Sequence, residues 1–321
     1  MKKLIAIILS TALLLCFGAC SAVQNAEPII METDKDFFNP DIIRKTLSLN
    51  SGDLVAVTED GTLLVPGYFA SGSGEYKNAA DVASVDVSSN NFAVLYNDGT
   101  VDFMTKGIAK PVGSEQIYTE VEAWSDIVDI ACTDKTVVGL TRNGQIKVAS
   151  LDQGWAQMTS GWASVIAIDL DGSCLTALRN DGKVFVCQSL NGKMYNHCPD
   201  WEDIISIHTS GNIYGVSDSG KVYCYDPVSK TSSELSGLDS VIKVSGDKDA
   251  IIALKSNSSV VCLKDELNDK ISDWTGVADI AGNINTVVAL SNDGNILYAT
   301  LKEGGSSSEY VGWSNISVPA K

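Results

Sequence analysis

Histidine is nearly absent from this chain: His197 and His208 are the only two in 321 residues. No Gly-x-Ser-x-Gly elbow accompanies them, so a hydrolase triad has no support. There is no Cys-x-x-C pair, and His197-Cys198 has no second pair at ligand spacing, so metal binding is not expected. No loop of the G-x-x-x-x-G-K-S/T type is present to cradle a phosphate, since Val222 follows Gly220-Lys221. Asp169-Leu170-Asp171-Gly172 hints at calcium but falls far short of an EF-hand loop. No cofactor and no catalytic residue is therefore expected. Positive charge is scarce as well: 23 Lys and Arg stand against 40 Asp and Glu, a formal net charge of -17. Nucleic-acid binding rests mainly on cations that neutralise phosphates, which argues against nucleic acid as a partner. After the N-terminal segment, no apolar run approaches the roughly 20 residues that a spanning helix needs.

That N-terminal segment is the first positive feature. Met1-Lys2-Lys3 is a short basic head, and Leu4 to Phe17 is apolar apart from Ser10 and Thr11. Phe17-Gly18-Ala19-Cys20 follows, with small residues at a cleavage point. A basic head, a short apolar stretch and a small-residue cut are the parts of an export signal. The ending resembles a bacterial lipobox, which implies that Cys20 is lipidated and becomes the new N-terminus. An ordinary cut near Ala22, leaving a secreted protein, is the alternative. The division expected is a signal over 1–20, an acidic and polar tether over 21–40, and one repeat domain over 41–321. The protein is thus expected outside the cytoplasmic membrane, held there only by its lipid.

A repeat fills the rest. Trp124 opens W-S-D-I-V-D-I, Trp162 opens W-A-S-V-I-A-I, Trp201 opens W-E-D-I-I-S-I, Trp274 opens W-T-G-V-A-D-I and Trp313 opens W-S-N-I-S-V. Leu238 and Ala80 begin weaker versions. About 20 residues after each opening comes a turn ending in glycine: Gly144 after Trp124, Gly182 after Trp162, Gly220 after Trp201, Gly294 after Trp274, with Gly61 and Gly99 earlier. The sixth unit reads Ser256-Asn257-Ser258 instead, where Asn257 is the residue expected to take a positive φ. β-Branched runs such as T-V-V-G-L-T and K-V-F-V flank the turns. Such runs around Asn-Gly or Asp-Gly mark hairpins, and the two-residue type I′ turn is the geometry expected. No sustained 3.6-residue apolar period appears, so helices are not expected.

Units of about 38 residues built from short strands match four-stranded propeller blades. The fold class expected is all-β, a β-propeller of about seven four-stranded blades. Arg44 and Lys45 stand where other openings carry Ile or Val, and the last opening, Trp313 to Val318, has no turn after it. The C-terminal strand is therefore expected to complete the N-terminal blade, which would hide two sheet edges. Six or eight blades, or an open array, are the alternatives.

The pattern W-x-x-I/V-x-x-I followed by V-x-x-L-x-x-(D/N)-G-x-V/I resembles the propeller repeat of the regulator of chromosome condensation family, in its bacterial exported form, over roughly residues 41–318. The resemblance implies a protein-binding mode through one face of the ring.

The five register tryptophans and the turn glycines read as structural. Trp155 lies outside the register, and Asn191 to Cys198 occupies the equivalent place one unit on. Trp155, Met158, Met194 and Tyr195 are the candidate binding face, since interfaces favour exposed aromatics. Cys187 and Cys198 flank that loop and could bridge in an oxidising compartment. The function expected is a non-catalytic, surface-anchored, monomeric binding or scaffold protein whose partner is an unknown protein. A carbohydrate-binding propeller that captures a surface glycan is the alternative, and a glycan-active enzyme a third.

Overall fold

The computed structural model describes residues 45–50, 53–67, 69, 79–107, 115–152, 154–190, 193–302 and 313–319. The export signal with Cys20 and the tether lie outside these residues. Within them, the β-branched runs pair into seven antiparallel sheets, in each of which sequence neighbours are spatial neighbours. The first sheet holds β1 (Leu47–Asn50), β2 (Asp53–Val57) and β3 (Leu63–Leu64). The second holds β4 (Val82–Val87), β5 (Asn91–Tyr96) and β6 (Val101–Thr105). The third holds β7 (Ile127–Thr133), β8 (Thr136–Thr141) and β9 (Ile146–Ser150). The fourth holds β10 (Val165–Asp171), β11 (Cys174–Arg179), β12 (Val184–Leu190) and β13 (Lys193–His197). The fifth holds β14 (Ile204–Ser210), β15 (Asn212–Ser217), β16 (Val222–Asp226) and β17 (Thr231–Glu234). The sixth holds β18 (Val241–Asp247), β19 (Ala250–Lys255) and β20 (Val260–Cys262). The seventh holds β21 (Val277–Asn283), β22 (Thr286–Ser291) and β23 (Ile296–Thr300).

Two expectations about these units need correction. Only the fourth and fifth sheets have four strands among the described residues. After β6, β9 and β20 the chain forms short helices instead: α1 (Glu115–Glu122), α2 (Gly154–Thr159) and α3 (Asp265–Ile271). Each has at most about two turns, too short to show a helical period in sequence. Their apolar spacing still does the packing. α1 buries Ile117, Tyr118 and Val121, and the Tyr118 ring sits 5.1 Å from that of Phe103. α3 buries Leu267 and Ile271, one turn apart, and carries Asp265 and Glu266 at its N-terminal end, where negative charge suits the helix dipole.

The turns are also not type I′. In the second sheet Tyr96 N–H donates to the Thr100 carbonyl and Gly99 N–H to the Tyr96 carbonyl, both at 3.0 Å. Positive φ is confined to the third loop residue, Gly99 at +84°. This is the three-residue loop, a type I turn closed by a left-handed residue. The same bonds recur at the other turns, and in the sixth sheet Ser258, not Asn257, takes the left-handed place at +63°.

A second left-handed residue stands two places after each opening residue: Asp126, Ser164, Asp203, Ser240, Gly276 and Asn315, with Asp81 ahead of β4. It bends the chain so that the next N–H meets the turn of the preceding sheet. Val82 N–H donates to the Gly61 carbonyl, and the bond repeats at Ile127–Gly99, Val165–Gly144, Ile204–Gly182, Val241–Gly220, Val277–Ser258 and Ile316–Gly294, all at 2.9–3.1 Å. The fit leaves little room: a Cβ on Gly220 would lie 2.8 Å from the Ser240 Cα.

The register tryptophans pack between sheets. Trp124, Trp162 and Trp201 are buried, while Trp274 and Trp313 are half-buried. Trp201 lies over the backbone of Gly215, where a Cβ would meet its ring at 2.7 Å.

The C-terminal residues add to the first sheet. Ile316 bridges Thr58, Ser317 N–H donates to the Val57 carbonyl at 2.8 Å, and Glu59 N–H donates to the Asn315 carbonyl at 2.8 Å. The Thr46 hydroxyl donates to the Ser317 carbonyl at 2.6 Å. Residues 315–317 thus take the place that the start of the first strand takes elsewhere, which frees Lys45 from the apolar role of the other openings. Ile316 is fully buried with Leu47, Leu54 and Val288. A chain ending at residue 312 should lose on the order of 3–5 kcal/mol and roughly 10 °C in Tm. An unchanged melting curve would refute this role for residues 313–319.

Candidate functional site

The first strand of each sheet pairs on one side only. Its other side faces a cavity of about 1570 Å³ lined by all seven first strands, with Ser48, Asp86, Asp129, Asp169, Lys243 and Asp279 among the lining residues. Backbone N–H groups on that side need acceptors. Carboxylates from the neighbouring first strand supply them. Asp86 Oδ2 accepts from Cys132 N–H at 2.8 Å, Asp169 Oδ2 from Thr209 N–H at 2.7 Å, and Asp171 Oδ2 from Gly211 N–H at 2.8 Å. The same Asp-Leu-Asp-Gly segment that hinted at calcium is thus spent on holding β10 to β14.

Lys45 reaches into the cluster. Its Nζ lies 3.2 Å from Asp169 Oδ1 and 3.4 Å from the Ile130 carbonyl. Asp169 Oδ2 also faces His208 Nδ1 at 3.3 Å, and His208 Nε2 lies 2.7 Å from the Gly246 carbonyl. Ser48 donates to Asp86 Oδ1 at 2.9 Å. Across the cavity Lys243 pairs with Asp279, whose Oδ2 is buried without a hydrogen-bond partner.

Burial alone would raise Asp86, Asp129 and Asp169, and the neighbours decide the outcome. Asp169 is held well below the usual range because Lys45 and His208 outweigh its burial. Asp129 is pushed up to about 6 by burial, which Lys45 offsets only in part. Asp86 is raised for the same reason. Burial would lower Lys45, but Asp169, Asp86 and Asp129 raise it.

Of the four residues expected to form a binding face, Trp155, Met158 and Met194 are brought together but pack inward, while Tyr195 alternates with Met194 on β13 and lies by His197. Trp155 and Met158 are only 3% and 5% exposed. They belong to one core cluster with Trp162 and Phe185, and Met194 packs against it. Tyr195 is half-buried on β13. The cause is α2, which presents Trp155 and Met158 as the cover of the outer edge of the third sheet, where a fourth strand was expected. Trp155 and Met158 retain almost no surface for a partner or a sugar ring.

His197 points away from any metal role: its Nδ1 lies 3.0 Å from the Tyr225 hydroxyl. Among the described residues no three His, Cys, Asp or Glu side chains come together to hold a metal. The six described cysteines, Cys187 and Cys198 included, are free thiols.

Sequence reasoning missed the carboxylate cluster. A signal was there: V-A-S-V-D-V, I-V-D-I-A-C and V-A-D-I-A-G each set one Asp inside an aliphatic strand.

No protein-family model matches the chain. No curated protein sequence matches it either. Solved structures do. Yeast RCC1 (Prp20), in its complex with Kap60, superposes with a TM-score of 0.55 at 11% identity, over 95% of this chain and 90% of that one. Prp20p from Saccharomyces cerevisiae, in another structure, gives 0.54 at 11% over 91% and 89%. Human WBSCR16 gives 0.55 at 14% over 79% and 88%. At such identities the likeness concerns the fold, and the chain has an RCC1-like β-propeller fold.

The raised Asp129 sets a pH dependence. Between about pH 4 and 6 the folded state keeps a proton on Asp129 that the unfolded chain has lost. Stability therefore falls as pH rises through that window, by on the order of 3 kcal/mol, and is level above it. Asp129→Asn should match the parent near pH 4 and melt several degrees higher above pH 6.5. Parallel Tm–pH curves for the two proteins would show that Asp129 does not titrate there.

Proposed function

We propose that this chain is a non-catalytic protein-binding propeller of seven blades, closed where residues 315–317 join the first sheet and anchored outside the cell by a lipid on Cys20. The observation that carries the reading is a pair of exposed aliphatic side chains at the cavity. Ile205 and Ile242 are 47% and 40% exposed and both line it, whereas their counterparts Ala83 and Val128 are buried. Large apolar side chains left in water beside a concave surface mark interaction sites. The cyclic neighbourhood of the first strands supports closure, since β1 touches both β4 and β21. The non-catalytic reading rests on the cavity carboxylates, of which Asp86 and Asp169 are tied to backbone N–H groups and to Ser48, Lys45 or His208.

The fold relatives point the same way. Prp20p is described with its binding to Gsp1p and histones, and RCC1 (Prp20) is bound by Kap60. Export and the anchor rest on the N-terminal segment. No helix among the described residues is long and apolar enough to cross a membrane, so the lipid is the proposed attachment. The glycan reading loses its stacking platform with the burial of Trp155.

Two experiments test this. The full chain, immobilised, should retain a cell-surface protein that the Ile205→Ser, Ile242→Ser double variant retains at least roughly tenfold less; equal retention would remove these residues from the interface. Cys20→Ser should move the protein from the detergent phase to the aqueous phase on phase partitioning. A parent protein already in the aqueous phase would rule out the lipid.

A further inference from the structure

Ile205 and Ile242 occupy equivalent places, one residue into β14 and β18, in adjacent sheets. Each lies next to a junction at which the turn of one sheet meets the opening of the next. Ile204 N–H donates to the Gly182 carbonyl and Val241 N–H to the Gly220 carbonyl, both at 3.1 Å. A Cβ on Gly182 would lie 2.9 Å from the Asp203 Cα. These bonds fix what stands around the two isoleucines. The first junction brings Gly182, which follows Asp181, against Asp203, the second brings Gly220 against Ser240, which follows Asp239, and Asp218 N–H donates to the Asp203 carbonyl at 3.0 Å.

All five acids are exposed. Asp181 pairs with Arg179 at 3.2 Å and Asp239 with Lys255 at 2.6 Å. Glu202, Asp203 and Asp218 have no ion pair among the described residues, and the nearby Lys221 is engaged by Glu234 at 3.0 Å. Apolar contact surface at this mouth of the cavity is therefore bordered in the chain by unpaired negative charge.

Resting on the protein-binding reading, we infer that this mouth receives a cationic segment of the partner: a short stretch in which aliphatic residues alternate with Lys or Arg. The aliphatic residues cover Ile205 and Ile242, and the cations meet Glu202, Asp203 and Asp218. The charge complementarity selects against an acidic segment, and a chain of net charge -17 repels anionic lipid surfaces as well.

The probe is a labelled short peptide alternating Lys and Leu, titrated with the full chain and followed by fluorescence anisotropy. Companion peptides carry Glu for Lys, or Ser for Leu. The Lys–Leu peptide should bind, weaken at physiological salt, and bind roughly tenfold more tightly than either companion. Asp203→Asn with Asp218→Asn, and Ile205→Ser with Ile242→Ser, should each cost a similar factor. Ile284→Ser, a change at another exposed isoleucine of the cavity wall, should cost nothing. Melting curves confirm that each variant is folded. Equal binding of the Glu peptide, or binding indifferent to both double variants, overturns the inference. A captured surface protein that the Lys–Leu peptide cannot displace also overturns it, while leaving the protein-binding reading intact. If no protein is retained and no peptide binds, both fall.

Discussion

A strand that pairs on one side only must find partners for its other side, and in this protein that obligation falls seven times on one cavity. Apolar side chains could fill the space but could not satisfy the N–H groups that face it, because a buried donor without an acceptor costs more than a hydrogen bond gains. Carboxylates from the adjacent strand solve the donor problem and create a charge problem. Lys45 answers part of it, standing close enough to Asp169 to hold that carboxylate ionised. What it cannot answer shows as the raised Asp86 and Asp129. The cavity is thus polar where its carboxylates accept from the strand N–H groups.

The outer rim follows a different rule with a related result. Each junction needs two left-handed residues in succession along the chain, one closing a turn and one after an opening. Glycine, Asp and Asn tolerate that backbone best. Asp81, Asp126 and Asp203 hold such places with φ between +55° and +65°. Backbone geometry therefore recruits acidic residues to one edge of the sheets. Asp203, close to Ile205, is in this sense a by-product of how sheets are joined, whereas Asp181, Glu202, Asp218 and Asp239 hold no left-handed place.

The spacing of the tryptophans and turn glycines was legible because it repeats, and it locates every sheet but the sixth, where Leu238 and Ser256-Asn257-Ser258 stand in. Turn type was harder to read, since Asn-Asp-Gly serves a two-residue and a three-residue loop alike; only the extra residue between Tyr96 and Thr100 separates them. The helices hid because six to eight residues carry too few apolar positions to set a period. Trp155 misled for the same reason: an aromatic outside the strand register looks exposed unless the helix that buries it is seen. The carboxylate cluster was split among units some 40 residues apart in sequence, as with Asp86 and Asp129. In any single unit one Asp between two aliphatics reads as a solvent-facing position. Only the convergence of the inner strands makes these residues neighbours.

The bond between Thr46 and Ser317 spans 271 residues of chain. Synthesis proceeds from the N-terminus, so Thr46 emerges 271 residues before Ser317. Until then the first sheet keeps an open edge, the kind of surface on which unfinished chains cross-pair. A protein joined this way cannot mature piece by piece. Without residues 315–317 the first sheet keeps an exposed strand edge.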